Sequence, residues 1–244
     1  MEARRKIVPA QLEAVLEFHR LWVDTDGSDG ARAELRNCNL GSFELEGENL
    51  KHADLRGADL SGCRLDRANL LGADLRGAVL SHAKLPGARL EAAKLEGAVL
   101  IGADLAAVDA RRADFQGANL QGANLRRANL KSADLSRAVL IETALDGASL
   151  VGACLWEANL FRATMREALL IAAEFVDASL IAAELNGADC MMADFSLAEM
   201  REACLCGASL RGANLAVARG LSKEQLASAR HLAGLRLPKY LRGG

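Results

Sequence analysis

Large apolar residues recur at every fifth position of this chain from Leu35 to Leu215, and a small residue, usually Ala, lies two residues before most of them. An α-helix advances 100° per residue and a β-strand alternates with a period of two, so neither keeps residues five apart on one face. The period fits a three-residue strand, with its first and third side chains inward and its middle one outward, followed by a two-residue corner. The sequence therefore predicts an all-β solenoid.

Glycine is frequent at the second corner position, for example at Gly57, Gly62 and Gly117. A type II turn needs a positive φ at its third residue, which glycine adopts without steric cost. The units between Glu157 and Ala182 lack this glycine, so their turns are predicted to differ from type II. Ala110 and Cys190 occupy inward positions where Leu is usual, and each is predicted to leave the interior less well filled at that position.

Units such as ADLRG at Ala53 and Ala73, ANLQG at Ala118 and ANLRR at Ala123 fit the consensus A(D/N)LxG. In these units the chain resembles the pentapeptide-repeat family, and the resemblance runs without insertion or deletion over roughly residues 33–218. It implies a right-handed quadrilateral β-helix with four units per coil. With about nine coils spaced ~4.8 Å apart, the rod would be ~45 Å long. Four units per coil would place Phe115, Phe175 and Phe195 on one wall, because they differ by multiples of twenty.

The two ends depart from the repeat, and each is predicted to form a short α-helical cap. Apolar residues at helical spacing predict an amphipathic helix from about Pro9 to Val23. This helix would cover the open first coil, where the inward position of Glu48 carries a charge. The predicted units are the N-terminal helix and turn (1–30), the β-helix (31–219) and the C-terminal helical cap and tail (220–244).

A capping box of Ser222 and Gln225 predicts the start of the C-terminal helix. The helix should run from Lys223 to about Arg230 or Ala233. The tail that contains Pro238 and the final two glycines is expected to be frayed.

The composition favours one continuous body in the cytoplasm. The chain is 51% hydrophobic but only 4% aromatic, which suits thin layers of Leu and Ala. It contains no run of eighteen uncharged apolar residues and no apolar core of a signal peptide near Met1. A net charge of −2 argues against a strongly basic nucleic-acid-binding protein.

No set of residues predicts catalysis, a cofactor or a metal site, so the chain is predicted not to be an enzyme. The four histidines do not converge, and no Cys or Ser is brought to one of them. Cys204 and Cys206 lack the further ligands of a zinc site. The segment from Asp24 to Gly30 departs from a calcium loop and is interpreted as a polar turn.

One predicted wall carries an interrupted acidic column. Short polar side chains beside a corner can bond local backbone, which is the simpler interpretation. Some members of the resembled family mimic DNA and inhibit DNA gyrase, which is the alternative function. A duplex presents one phosphate per ~3.4 Å on each strand, whereas this column offers at most one carboxylate per coil. Its acidic members are Asp54, Asp74, Asp114, Asp134, Glu174 and Asp194.

A second wall is predicted to bind protein, because six consecutive coils place no charged residue beside its central Leu positions. β-branched residues also suit strands, but a continuous apolar patch usually marks an interface. The predicted function is a protein-protein interaction scaffold that pairs with a protein partner or with itself as a homodimer. The predicted interface residues are Val79, Val99, Ile101, Val139, Ile141, Phe161 and Ile181.

Overall fold

The computed structural model describes residues 4–41 and 43–241. Strand β1 (Arg5–Lys6) and helix α1 (Pro9–Asp24) precede the repeats, and strand β2 (Cys38–Asn39) lies in the first coil. Helix α2 (Lys223–Ser228) and a 3-10 turn (Lys239–Leu241) follow the repeats. No helix of the described residues is long and apolar enough to cross a membrane.

The repeats coil with a period of twenty residues. The middle residue of each three-residue unit forms a parallel bridge with the residue twenty positions later, from Glu34 with Asp54 to Glu199 with Arg219. Each coil thus has four walls of one unit each, which we number along the chain. The bridging residues begin with Glu34 and Asp54 in wall 1, Asn39 and Asp59 in wall 2, Glu44 and Arg64 in wall 3, and Asn49 and Asn69 in wall 4.

The interior consists of the residues that the fifth-position period selects. The central Leu residues and the Ala residues two positions before them are almost completely buried. Phe115, Phe175 and Phe195 lie on wall 1, as predicted, and the rings of Phe175 and Phe195 stack with centroids 5.0 Å apart. Ala110 and Cys190 are fully buried on wall 4, and each comes five residues before one of these Phe residues, which lies on the adjoining wall 1.

The corners keep one backbone conformation whatever their sequence. A turn hydrogen bond closes each of them, as from Ala58 N to Leu55 O at 3.0 Å. Every described second corner residue from Asn37 to Gly212 has a positive φ, between 53° and 67°. Glu157 and Ala172 have φ values of 56° and 53°. The corners without glycine therefore share the positive φ of the glycine corners, and the prediction that their turns would differ is wrong.

The ladder explains this constancy, because it fixes the backbone on both sides of a corner. Glu157 N, for example, donates to Val176 O in the next coil at 3.0 Å. A left-handed conformation costs a residue other than glycine ~1–2 kcal/mol. The buried interior and the ladder impose that conformation even where the corner residue disfavours it.

Helix α1 packs its apolar side on the first coil. It ends within one residue of the predicted position, and its Leu12 and Leu16 belong to the buried core. His19 is fully buried, and its Nδ1 accepts a hydrogen bond from Ala33 N at 3.1 Å. Arg20 pairs with Glu48 at 2.8 Å, which gives the charged inward position a partner from the helix.

Strand β1 extends wall 2 by one further row. It pairs in parallel with β2, in the register Arg5 with Cys38 and Lys6 with Asn39. Arg5 N donates to Asn37 O at 2.7 Å. The edge of the first coil is therefore partly paired on this wall.

The C-terminal segment begins with the predicted capping box. Ser222 Oγ accepts from Gln225 N, and Gln225 Oε1 accepts from Ser222 N. The helix ends at Ser228, earlier than predicted, because Ala229 is extended and the backbone of Arg230 bridges Ser209.

The expectation of a frayed tail is wrong for the segment that contains Pro238. Pro238 is buried. The hydroxyl of Tyr240 donates to Ala218 O at 3.1 Å and accepts from Leu221 N at 3.2 Å. The final glycines lie outside the described residues.

Candidate functional site

The structure places the seven predicted interface residues on wall 2 and its trailing edge, the corner that follows the wall. Val79, Val99 and Val139 are bridging residues of wall 2, and all three are half-buried. Ile101, Ile141, Phe161 and Ile181 are the first residues of trailing corners, and all four are also half-buried. The predicted residues thus line one wall, with the polar coil of Asn119 and Gln121 between Ile101 and Val139.

Sequence reasoning missed the leading edge of the same wall, the corner that precedes it. Trp156 lies there with 50% of its surface exposed, and Val176 follows one coil later. The repeat period could have identified Trp156, because a residue four positions before the central Leu of a wall 2 unit must flank that wall. With Trp156 included, the apolar surface is widest between Val139 and Ile181.

Five charged residues stand at the borders of this widest part, and one of them, Asp177, pairs with Arg219 at 2.8 Å. On the leading edge, Arg137 pairs with Glu157 at 3.0 Å. On the trailing edge, Arg162 lies 3.9 Å from Glu142, and its guanidinium lies 5.0 Å from the ring centroid of Phe161. In the two coils that contain Val139 and Asn159, the sign of the charge alternates both along each edge and across the wall.

The predicted acidic column lies along wall 1, but neighbouring groups engage most of its carboxylates. Asp54 is almost fully buried, and its hydrogen bond from the Arg56 guanidinium lowers its pKa to about 2. The guanidinium of Arg76 likewise lowers the pKa of Asp74. Lys94 interrupts the column between Asp74 and Asp114, and Cys154 lies between Asp134 and Glu174.

The aspartates of this column also bond the backbone of the corner that follows. The Oδ1 atoms of Asp114 and Asp134 accept from the backbone N–H groups two residues later at 2.9 Å, and that of Asp194 does so at 2.8 Å. Asn159 on wall 2 accepts from Phe161 N at 3.1 Å in the same way. A polar middle residue therefore has a local structural task on more than one wall.

The residues with potential chemistry are dispersed. Among the described residues, no group of three or more His, Cys, Asp or Glu could hold a metal ion. Cys204 Sγ accepts from Asn186 Nδ2 at 3.1 Å, and Cys206 is exposed at the next corner. Burial raises the pKa of Cys63 and of Cys190 to about 12, which keeps both as unreactive thiols at neutral pH.

Among the described residues, the histidines lie in separate parts of the fold, and local hydrogen bonds close the Asp24–Gly30 turn. Burial, assisted by Arg32, lowers the pKa of His19, while His52 and His82 occupy corners of different walls. In the turn, Thr25 Oγ1 donates to Leu21 O at 2.8 Å, and Asp29 Oδ1 accepts from Gly30 N at 2.7 Å. These bonds within the segment suit the polar turn.

The protein family described as pentapeptide repeats matches this chain in eight copies, which together span residues 33–167 and 173–212. No curated protein sequence matches the chain.

Several solved structures are similar to the chain. HetL, a pentapeptide repeat protein involved in heterocyst differentiation regulation from the cyanobacterium Nostoc sp. strain PCC 7120, is 31% identical over 85% of this chain and 90% of its own, with a TM-score of 0.45. Rfr23, a pentapeptide repeat protein from the cyanobacterium Cyanothece 51142, is 32% identical over 50% of this chain and 90% of its own, with a TM-score of 0.21. QnrB1, a plasmid-mediated fluoroquinolone resistance protein, is 21% identical over 80% of this chain and 89% of its own, with a TM-score of 0.32.

The family match covers far more than half of the chain. The chain belongs to the pentapeptide-repeat family, whose fold is the right-handed β-helix.

Proposed function

We propose that the protein is a non-enzymatic scaffold that binds protein through wall 2. The observation that supports this most directly is the absence of charge beside the wall 2 centres over six consecutive coils. The bridging residues from Val79 to Ser179 and the first trailing residues from Ser81 to Ile181 are all uncharged. The patch therefore offers a partner a surface with little charge to desolvate.

The fold itself does not impose this composition. Wall 3 has the same backbone ladder, and its bridging residues include Arg64, Lys84 and Glu184. Its trailing corners carry Arg126, Asp146 and Arg166. Preference for strand-forming residues would act on both walls equally, so the difference favours a binding role for wall 2.

Inhibition of DNA gyrase by DNA mimicry is the alternative, and the acidic column of wall 1 supports it weakly. Arg56 and Arg76 neutralise the first carboxylates, and Lys94 and Cys154 interrupt the rest. The alternative requires that supercoiling by purified gyrase is inhibited in a salt-sensitive manner, and that Asp114→Asn with Asp134→Asn weakens the inhibition. We expect no inhibition at a large excess of the protein.

The test of the scaffold is a double substitution on the trailing edge of wall 2. Ile141→Lys with Phe161→Glu should preserve the fold, because both side chains lie outside the core, and should abolish association in sedimentation and pull-down experiments. The matched control is Val151→Lys with Ile171→Glu, which changes half-buried apolar residues at the same corner position on wall 4. Equal association of both variants would contradict a binding role for wall 2.

A further inference from the structure

We propose that wall 2 binds wall 2 of a second copy, with the two rods side by side and parallel. This inference rests on the proposed function of wall 2 as a protein-binding surface and assigns its occupant. Closed two-fold symmetry is the commonest arrangement of homo-oligomers, and it requires a surface that is complementary to itself. The pattern of apolar and charged residues on wall 2 meets that requirement.

The apolar bridging residues, and the large apolar side chains at the edges between Trp156 and Ile181, match under a two-fold axis that runs along the rods between the two walls. Such an axis places the leading edge of each coil against the trailing edge of the same coil in the partner. Trp156 then meets the partner's Phe161, and Val176 meets the partner's Ile181. The bridging residues Val79, Val99 and Val139 each meet the same residue of the partner. Aromatic side chains of this kind commonly anchor an interface.

The charges match under the same axis. Arg137 and Glu142 flank wall 2 in one coil, and Glu157 and Arg162 flank it in the next. Exchange of leading and trailing edges brings Arg137 towards the partner's Glu142 and Glu157 towards the partner's Arg162. Because the axis repeats each pairing, two coils supply four oppositely charged pairs at the rim of the apolar surface.

The polar residues in the middle of the wall are also compatible with this arrangement. The Oδ1 atoms of Asn119 and Asn159 each accept one backbone hydrogen bond, from Gln121 N and Phe161 N at 3.1 Å. An amide oxygen has a second lone pair and an amide nitrogen has two N–H groups. Each asparagine can therefore bond its counterpart across the axis, which avoids a buried polar group without a partner.

An antiparallel pair matches the charges but not the apolar bridging residues. Its axis would cross the rods between the coils of Val139 and Asn159, and it would pair Arg137 with the partner's Glu157. The same operation places Val99 on the partner's Glu199 and Val79 on the partner's Arg219. Burial of a charge against an apolar side chain is unfavourable, so the parallel arrangement, in which Val79 and Val99 each meet their own counterpart, suits the bridging residues from Val79 to Ser179 better.

A charge exchange tests the pairing and its orientation by sedimentation equilibrium from about 1 μM to about 1 mM protein. The wild-type chain should form a dimer of twice its 25.9 kDa. Glu157→Arg or Arg162→Glu alone should weaken the dimer at least ~10-fold, because each places like charges across the interface. Both changes together should restore it to within ~3-fold, although they leave repulsive contacts with Arg137 and Glu142 inside each copy. In the antiparallel pair, the double variant would remain weak.

The anchor is tested by Trp156→Ala, which should weaken the dimer at least ~10-fold. The control is Leu169→Ala, since Leu169 is an exposed apolar residue of wall 4, and it should leave the dimer unchanged. A wild-type chain that stays monomeric throughout, or a double charge variant as weak as the single ones, overturns the inference. If the chain is monomeric but Ile141→Lys with Phe161→Glu still removes a captured protein, wall 2 binds a different partner and the proposed function survives.

Discussion

The first part of the rod (residues 33–122) and its later part (residues 153–200) share an interior and differ in their exterior. In both, the ladder and the positive corner φ are the same. In the first part, many corners carry glycine, and Asp54 and Asp74 pair with neighbouring arginines. In the later part, the corners from Glu157 to Ala182 lack glycine, and large apolar side chains such as Trp156 are exposed. The interior sets the backbone, so the exterior can vary with function.

The largest expected effect tests whether the two interiors are equivalent. Leu75→Ala and Leu155→Ala remove fully buried wall 1 side chains and should each lower the free energy of unfolding by ~2–5 kcal/mol. The outward control Asp134→Ala loses a hydrogen bond to Ser136 N and should cost ~1 kcal/mol or less. Urea denaturation measures all three variants. A similar cost for Leu155→Ala and Asp134→Ala would contradict the assignment of inward and outward positions.

The next largest effect tests whether the large Phe side chains of wall 1 fill the space left by small residues on wall 4. Ala110 precedes Phe115, and Cys190 precedes Phe195, in the same relative positions. Ala110→Leu alone should cost ~1–3 kcal/mol through overpacking, and the added Phe115→Leu should relieve part of that cost. Double-mutant cycles should give a coupling of ~0.5–3 kcal/mol in both parts of the rod. Additive costs would show that the small wall 4 residues and the Phe residues are independent.

Acid should lower the stability of the first part through Asp54, because the folded-state pKa of this carboxyl is about 2, below its ordinary value of 3.8. Above pH ~4 the ion pair contributes its full stability, which is lost as the pH falls through about 2. Asp54 is buried, but its partner Arg56 is partly exposed, so screening limits the contribution to ~1 kcal/mol. Asp54→Asn should remove this part of the acid dependence in denaturation curves measured from pH 5 to pH 2. Asp194→Asn is the control in the later part, and an identical pH profile for both variants would contradict the prediction.

The period of five was sufficient to predict the solenoid and the inward residues, and the resemblance to the pentapeptide-repeat family added the four units per coil that place Phe115, Phe175 and Phe195 on one wall. The period could not predict the φ of the glycine-free corners, because local preference alone favours a different turn there and the tertiary ladder overrides it. The early end of α2 was missed for a similar reason, since the bridge of Arg230 to Ser209 competes with helix continuation. The capping role of the two terminal segments and the binding role of wall 2 stay predictions, because they concern solution behaviour.

The smallest effect is expected when a corner residue of one part is replaced by that of the other part. Gly122 and Ala182 occupy the same trailing corner of wall 2, with φ values of 64° and 55°, and a Cβ added at Gly122 would meet nothing within 4 Å. For Gly122→Ala, the left-handed conformation costs ~1–2 kcal/mol, and the lower entropy of the unfolded chain returns ~0.4–1 kcal/mol. The net loss in the free energy of unfolding should be ~0.5–1 kcal/mol. Ala182→Gly reverses both contributions and should stabilise the protein by a similar amount. A loss of stability in Ala182→Gly would show that the later corners depend on contacts of their own, rather than on the shared ladder.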